Sequence, residues 1–211
     1  MIFDLWDTLV DFPADKSAAL ETQWAERLGA DRDDFRTRWR AGRPDRDLGS
    51  PLADAFRAVG VADADVDEFV EMRRDFVRAA LAPRPGAVET LRELRERGFR
   101  LGMISVCSED VPMLWEKTAF AGLFDSEVFS ATCRLKKPDP EIYLLCLREL
   151  GVEAADALFV GDGADDELAG AERVGMRAVL IHRPGEDPLW EEARAWAGPR
   201  ITSIPEVLEL V

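Results

Sequence analysis

The first twelve residues, MIFDLWDTLVDF (1–12), place acidic side chains directly after a short apolar run. Residues 1–3 are typical of a buried β-strand, Asp4 ends the run, and Asp7 follows three residues later. A carboxylate at the end of a buried strand is unfavourable unless a partner compensates its charge. We therefore expect Asp4 to have a chemical role, and we expect this strand to belong to the main sheet.

Short apolar runs alternate with helical patterns in the second part of the chain. The runs lie at residues 99–106, 126–130, 157–160 and 177–181. The helical patterns lie at residues 88–94, 111–118, 140–150 and 167–174. Such alternation is typical of βα units, in which helices cover both faces of a parallel sheet. The sequence therefore predicts an α/β fold whose sheet includes the strand at the start of the chain.

Residues 12–81 have a different, helical character. Large apolar residues recur there at a spacing of four, as they do on one face of a helix. Breaks rich in glycine and proline predict three or four helices, and no strand is evident. The sequence thus predicts an α/β core domain of residues 1–11 and 82–211, with a small all-helical domain of residues 12–81 inserted after the first strand. Trp24 and Trp39 are expected in the core of the helical domain.

Composition excludes several classes of partner. The formal net charge is −15 and the pI is about 4.6, so no broad cationic surface is available for nucleic acid or an anionic membrane. The three cysteines lack CxxC spacing and predict neither a zinc site nor a disulfide framework. No apolar run approaches the ~20 residues of a membrane span. Without a recognisable signal peptide, we expect a reduced, cytoplasmic setting.

Polar side chains follow several of the predicted strands. Asp4 follows the first and Ser105 the second, GDGADDE (161–167) follows the run at 157–160, and Lys137 lies just before a predicted helix. Ligands of open α/β sheets bind at the carboxyl ends of the strands, so we expect these groups to converge. Carboxylates that share a pocket repel one another, and oxygen ligands of this kind suit Mg²⁺. A lysine and a hydroxyl beside them suit the oxygens of a phosphoryl group.

This order of motifs resembles the haloacid dehalogenase-like (HAD) superfamily along the whole chain. The stretches that carry the resemblance are FDLWDTL (3–9), IS (104–105), KPDP (137–140) and GDGADDE (161–167). The helical insertion resembles the cap that such proteins carry between the first and second motifs. The resemblance implies a Rossmann-like parallel sheet with helices on both faces, together with a small helical cap domain.

The resemblance also implies an activity, that of a magnesium-dependent phosphohydrolase acting on a small phosphorylated metabolite. Asp4 would be the nucleophile, attacking phosphorus to form an aspartyl-phosphate. Ser105 and Lys137 would bind the phosphoryl oxygens, and Lys137 would also offset the charge of Asp4.

A metal site is implied by the same resemblance. Mg²⁺ would be held by Asp4, by the backbone carbonyl of Trp6 and by Asp162. Either Asp166 or Glu167 would orient water bound to the ion without binding the ion directly. Family members place that acid at either spacing, so both residues stay open.

One residue departs from the pattern of the phosphatases in this family. Those phosphatases carry an aspartate two residues after the nucleophile, and this aspartate protonates the leaving group. This chain has Trp6 at that position. General acid–base help is worth ~10²–10⁴-fold. We therefore predict slow turnover or a preference for leaving groups that need no proton, unless Asp7 or an acid of the cap substitutes. Asp7 itself occupies a place that is often glycine, and Val106 one that is often polar.

Three alternatives remain open. The first is a 2-haloacid dehalogenase, because the dehalogenases of the family also carry an aromatic residue two positions after the nucleophile, although they use no metal. The second is a non-catalytic protein that binds phosphate and has lost turnover. The third is a phosphonatase-like enzyme, which needs a lysine of the cap for a Schiff base, and Lys16 is the only candidate.

Substrate choice is expected to come from the cap, which would close over the site and exclude water. Arg43 and Arg46, in a predicted loop at residues 42–49, are candidates for binding an anionic group of the substrate. The alternative is that both arginines are simply solvated. Trp6 is also expected to contact the substrate. The oligomeric state, monomer or homodimer, is open.

Overall fold

A computed structural model of the 211-residue chain describes residues 1–183, 185 and 187–211. The strands span Ile2–Phe3 (β1), Gly102–Ser105 (β2), Ser126–Phe129 (β3), Leu158–Gly161 (β4), Arg177–Ile181 (β5) and Arg200–Ile201 (β6). They form one parallel sheet in the order β3-β2-β1-β4-β5-β6. The strands that carry the first, second and fourth motifs are therefore neighbours at its centre.

Helices occupy most of the rest of the chain. Those between β1 and β2 span Ala14–Leu28 (α1), Arg32–Ala41 (α2), Arg43–Asp47 (α3), Leu52–Ala58 (α4), Val66–Ala80 (α5) and Ala87–Glu96 (α6). Those after β2 span Asp110–Trp115 (α7), Ser130–Cys133 (α8), Pro140–Leu150 (α9), Glu167–Arg173 (α10) and Glu191–Ala195 (α11).

The two faces of the sheet carry separate apolar cores. On the central strand, Ile2 packs into the core that α9 and α10 cover, whereas Phe3 packs into the opposite core, which α6 and α7 cover. Met103 and Ile104 of β2 divide between the two cores in the same way. This is the period-two alternation of a strand that is buried on both sides. The predicted α/β fold, with helices on both faces of a parallel sheet, is confirmed.

Helices α1, α2, α4 and α5 share a third core, which is rich in aromatic residues. Trp24 and Trp39 lie in it as expected, with ring centroids 5.0 and 4.8 Å from that of Phe56. Aromatic side chains bury a large area each and account for much of such a core. The division of the chain into domains at residues 11/12 and 81/82 stays a prediction.

The structure contains several elements that the sequence analysis did not predict, among them α3, β6 and the short helices α8 and α11. Residues 12–81, all described, contain five helices rather than three or four, because α3 lies where a loop was expected. Pro44 is compatible with that helix since it occupies the first turn, where no backbone N–H is needed. Strand β6 was missed because two residues make no apolar run, and it forms only by pairing with β5.

Two further features concern membrane spans and cysteines. Within the described part of the chain, no helix has both the length and the apolar character that crossing a membrane requires. The three cysteines, Cys107, Cys133 and Cys146, are free thiols.

Candidate active site

The carboxyl ends of β1 and β4 meet at the centre of the sheet and bring two acids together. Phe3 pairs with Val160 in the parallel register. Asp4 continues this pairing, because its backbone N–H donates to the Val160 carbonyl oxygen at 2.8 Å. Asp162 is the first residue after β4, so its side chain leaves the neighbouring strand at the same edge.

Asp4, Asp162 and Glu167 form a buried group of acids, here called the carboxylate cluster. One carboxylate oxygen from each lies within 4.8 Å of the others. The ammonium of Lys137 is buried beside them and donates to Asp4 Oδ1 and Glu167 Oε2. A single ammonium faces three carboxylates, so the cluster has too little positive charge. Such a set of oxygen donors fits a divalent cation of the Mg²⁺ kind.

Burial has the largest effect on the pKa values of Asp162, Glu167 and Lys137, and the neighbouring charges have the next largest. Burial and the neighbouring Asp4 raise the pKa of Asp162 to about 6. Burial also raises the pKa of Glu167 well above its usual range, and Lys137 opposes that rise. Burial alone would lower the pKa of Lys137, but Asp4 and Glu167 outweigh it and raise that pKa. Lys137 is therefore a permanent cation at neutral pH.

The structure brings Glu167 to the cluster and turns Asp166 away from it. Asp166 has a left-handed backbone, and its side chain, 48% exposed, pairs with Arg173 Nη1 at 3.0 Å. Glu167 begins α10, and its Oε1 accepts the backbone N–H of Gly163 at 2.9 Å. Gly161 leaves room for it, since a Cβ there would lie 2.1 Å from Glu167 Oε1.

The turn after Asp4 explains why an aspartate can replace glycine at position 7. Asp7 has φ of 54°, a conformation that glycine adopts freely and that aspartate tolerates better than most residues. Its Oδ1 accepts the backbone N–H of Phe12 at 3.1 Å, which closes the turn. Burial raises the pKa of Asp7, while the Phe12 N–H and Arg84 oppose the rise.

A cavity of about 470 Å³ opens beside the carboxylate cluster, between the sheet and the helices of residues 12–81. On the side of the sheet, its lining includes Asp4, Lys137 and Asp162. On the side of those helices, its lining includes Trp39, Arg40, Arg43, Arg46 and Arg73. The cavity is thus acidic at one end and rich in arginine at the other.

Trp6 contributes an apolar wall to this cavity. It is half-buried, and its ring meets that of Phe12 edge-on, with centroids 5.5 Å apart. Asp7, Glu21 and Asp47 also line the cavity, so acids other than the missing one are present. Glu21 is already paired with Arg36 at 2.9 Å.

Ser105 ends β2 as the sequence predicts, but it is completely buried and does not line the cavity. Its Oγ has no hydrogen-bond partner among the described residues. A buried hydroxyl without a partner is unfavourable, so this oxygen is available to a ligand that reaches it. Ser108 does line the cavity, and its hydroxyl donates to Asp110 Oδ1 at 2.6 Å.

The two arginines predicted for substrate binding differ sharply in environment. The side chain of Arg43 is 61% exposed and pairs with Asp47 at 3.3 Å. Arg46 is only 8% exposed, its guanidinium stacks 3.9 Å from the Trp39 ring centroid, and it donates to the Trp39 carbonyl at 2.7 Å. It forms no ion pair with any described carboxylate. Burial, then Arg73, lowers the pKa of Arg46 to about 10.

Sequence reasoning missed two residues at the edge of the site. Trp190 reaches back from beyond β5, and its indole N–H donates to Asp162 Oδ2 at 2.6 Å. Arg73 of α5 pairs with the fully buried Asp110 of α7 at 2.9 Å. Neither residue belongs to a motif, so the sequence carried no signal for either.

Comparison with known proteins places these features in a family. The model of the haloacid dehalogenase-like hydrolases matches residues 1–175. A glyceraldehyde 3-phosphate phosphatase of Methanopyrus kandleri is 40% identical over 108 residues, which are 50% of this chain and 46% of that protein. This chain thus spans about half the length of the first curated relatives it matches.

Two further similarities extend over the whole chain. A ribulose-1,5-bisphosphate 5-phosphatase of Halopiger xanaduensis is 28% identical and covers 100% of this chain and 98% of its own. The crystal structure of a 2-haloacid dehalogenase from Pseudomonas syringae superposes with a TM-score of 0.71 at 27% identity, covering 99% of this chain and 96% of its own. The chain therefore belongs to the haloacid dehalogenase-like hydrolase family.

Proposed function

We propose that this protein is a Mg²⁺-dependent phosphohydrolase that acts on a small phosphorylated metabolite. The observation that carries the proposal is the buried contact of Asp4 with Lys137 within the carboxylate cluster, at the wall of a cavity. Two of the similar proteins are named as phosphatases of phosphorylated sugars, which supports a substrate of that size.

Asp4 is the nucleophile in this proposal. Lys137 binds its Oδ1, which leaves Oδ2 to attack phosphorus. The bond between phosphorus and the leaving oxygen breaks as the aspartyl-phosphate forms, and water then hydrolyses the intermediate and restores Asp4. The fixed charge of Lys137 offsets the negative charge of Asp4 and stabilises the phosphoryl oxygens. The unpartnered Oγ of Ser105 is the second proposed donor to those oxygens.

The carboxylate cluster fits a magnesium ion, because its donors are all oxygen and its negative charge exceeds the charge of Lys137. Asp4, Asp162 and the backbone carbonyl of Trp6 would hold the ion, and Glu167 would support it. When bound, the ion offsets charge on the phosphoryl group, so that an anionic nucleophile can approach it. Asp166 is left out of this set because its side chain pairs with Arg173 instead.

A phosphate-release screen over a panel of phosphate esters tests the function. With Mg²⁺ present, we expect turnover of at least one small phosphate ester, and with EDTA we expect that turnover to stop. Release that continues unchanged in EDTA would contradict the proposal. Mg²⁺ and phosphate binding without turnover on any ester would instead support a non-catalytic protein.

Trp6 predicts a dependence on the leaving group. We expect the wild-type enzyme to hydrolyse aryl phosphates much faster than alkyl phosphates, because an aryl oxide leaves without a proton. Replacing the indole by a carboxyl group in Trp6→Asp should raise the rate on alkyl phosphates by about 10²-fold. The measurement is kcat/KM across esters graded by leaving-group pKa.

The matched control is Trp6→Phe, which keeps an aromatic ring and adds no acid. It should preserve the steep dependence on the leaving group. If the wild type already hydrolyses alkyl and aryl esters at equal rates, another acid of the cavity, such as Asp7, supplies the proton.

A 2-haloacid dehalogenase is the second candidate function. The aromatic residue at position 6 and the similarity to the Pseudomonas syringae dehalogenase favour it. The excess of carboxylates around Asp4 disfavours it, because carbon–halogen cleavage by this family requires no cation. Chloride release from 2-chloropropionate in EDTA would reverse the order of the two candidates.

We further propose that Arg46 binds an anionic group of the substrate remote from the reacting phosphoryl group. The guanidinium is buried, lines the cavity and forms no direct ion pair, so Asp47 and Asp110 compensate its charge only from a distance. A carboxylate or a second phosphate of the substrate would compensate it. Arg43 is the weaker candidate of the two, since it is largely exposed and already pairs with Asp47.

Substitution of Arg46→Met is expected to raise KM about tenfold or more for a substrate with two anionic groups, because charge-assisted hydrogen bonds are worth about 1.5–3 kcal/mol. KM for p-nitrophenyl phosphate, which has no second anionic group, should stay unchanged. Arg57→Met, on the exposed surface of α4, is the control. Equal increases in KM for both substrates would show that Arg46 only maintains the shape of the cavity.

A further inference from the structure

Trp190 joins the candidate active site from a part of the chain that the family model does not match. The model ends at residue 175, whereas Trp190 lies between β5 and α11. Its Nε1–H donates to Asp162 Oδ2 at 2.6 Å, and its indole, 38% exposed, lines the cavity. A tryptophan at the surface thus holds one oxygen of a buried acid in the carboxylate cluster.

The segment that carries Trp190 is anchored against the loop after Asp162. Ala193 of α11 is fully buried there, and a Cβ on Gly163 would lie only 2.6 Å from the Ala193 Cβ. Glycine at position 163 is therefore what lets α11 approach this loop. Arg194 closes the segment from the other side, since its guanidinium donates to the carbonyls of Pro188 and Leu189 at 2.9 and 3.3 Å.

Both oxygens of Asp162 receive one N–H group. The backbone N–H of Ala164 donates to Oδ1 at 3.2 Å, and Trp190 donates to Oδ2. Each carboxylate oxygen can accept more than one bond, so capacity remains for a cation on the side of Asp4 and Glu167. Two donors that approach from different elements restrict rotation of the carboxylate. A freely rotating carboxylate would lose conformational entropy on binding an ion, and this loss would cost free energy.

We propose that Trp190 is a positioning residue, whose indole N–H holds the Asp162 carboxylate in the orientation that binds Mg²⁺. The inference rests on the proposed magnesium site and adds to it a residue that lies outside the family motifs. Hydrogen-bond partners of metal ligands typically contribute about 10–100-fold to metal affinity.

Calorimetric titration of the 211-residue protein with Mg²⁺ tests this inference. Trp190→Phe keeps an aromatic ring and removes the N–H, so we expect the Kd for Mg²⁺ to rise about tenfold or more. The matched control is Trp196→Phe, because Trp196 lies in the same segment but donates its N–H to the Pro199 carbonyl. The control should bind Mg²⁺ like the wild type.

Asp162→Asn separates failure of this inference from failure of the magnesium site. If Asp162→Asn abolishes Mg²⁺ binding while Trp190→Phe leaves Kd unchanged, the role of Trp190 is wrong and the site stands. If Asp162→Asn also leaves Kd unchanged, the magnesium site itself is wrong. Tighter binding by Trp190→Phe would likewise overturn the inference, because the indole would then compete with the ion. Thermal unfolding in EDTA shows whether each variant is folded before titration.

Discussion

Asp4→Asn is expected to lower phosphate release by on the order of 10⁴-fold or more, because it removes the attacking carboxylate and one proposed ligand of the ion. An amide oxygen is a poor nucleophile, and the other groups of the site cannot replace it. Asp4 lies at the point where β1 and β4 pair, so no second acid occupies the same position. The measurement is kcat with Mg²⁺ on the best ester of the screen.

The matched control is Asp166→Asn, which changes the net charge by the same amount at the residue next to Glu167, outside the cluster. Its side chain pairs with Arg173 rather than with the site, so we expect activity within a few-fold of the wild type. Residual activity of Asp4→Asn above one tenth of the wild type would rule out Asp4 as the nucleophile. A large loss in Asp166→Asn would show that the cluster extends further than the structure indicates.

Lys137→Met is expected to lose both activity and stability. The substitution leaves Asp4, Asp162 and Glu167 buried together without the ammonium that binds two of them. Removing one partner of a buried ion pair typically costs about 3–5 kcal/mol. We therefore expect the free energy of unfolding, measured with urea in EDTA, to fall by about that amount at neutral pH.

The loss of stability in Lys137→Met should depend on pH with a definite sign. Burial raises the pKa of Asp162 to about 6 and the pKa of Glu167 well above its usual range, so the folded state binds protons more tightly than the unfolded state. Stability of the metal-free protein therefore falls as pH rises from about 4 through 6. Without Lys137 these pKa values rise further, and we expect the deficit to be largest near pH 8 and to shrink toward pH 5.

The exposed Lys117→Met is the control for removal of a lysine charge, and we expect it to be within about 0.5 kcal/mol of the wild type. Added Mg²⁺ should recover part of the stability of Lys137→Met, since the ion supplies charge to the same carboxylates. A deficit that is the same at both ends of this pH range would contradict the electrostatic explanation and indicate lost packing instead.

Much of the candidate site could be predicted because parallel strands place their carboxyl ends at one edge. Asp4 and Asp162 each follow an apolar run, and an α/β alternation is enough to bring such positions together, whereas Ser105 ends its strand buried and outside the cavity. This reasoning could not decide which of the acids at positions 166 and 167 reaches the cluster, because both follow the same strand. The left-handed backbone of Asp166 and the space left by Gly161 bring Glu167 to the cluster.

The sequence also could not predict which of Arg43 and Arg46 is buried. Arg43 and Arg46 lie three residues apart in one predicted loop, and nothing in their neighbours distinguishes them. Helix α3 turns Arg46 onto the face of Trp39 and leaves Arg43 at the surface. Burial of a side chain is set by the elements that pack over it, which come from distant parts of the chain.

The sequence by itself determined the α/β fold and the strand end that carries Asp4, because these depend on local apolar patterns and on the edge to which parallel strands deliver their last residues. Only the tertiary structure decided that Glu167 joins Asp4 and Asp162, that Arg46 is the buried arginine, and that Trp190 donates to Asp162. Each of these outcomes depends on backbone conformation and packing between distant segments, and no local pattern records them.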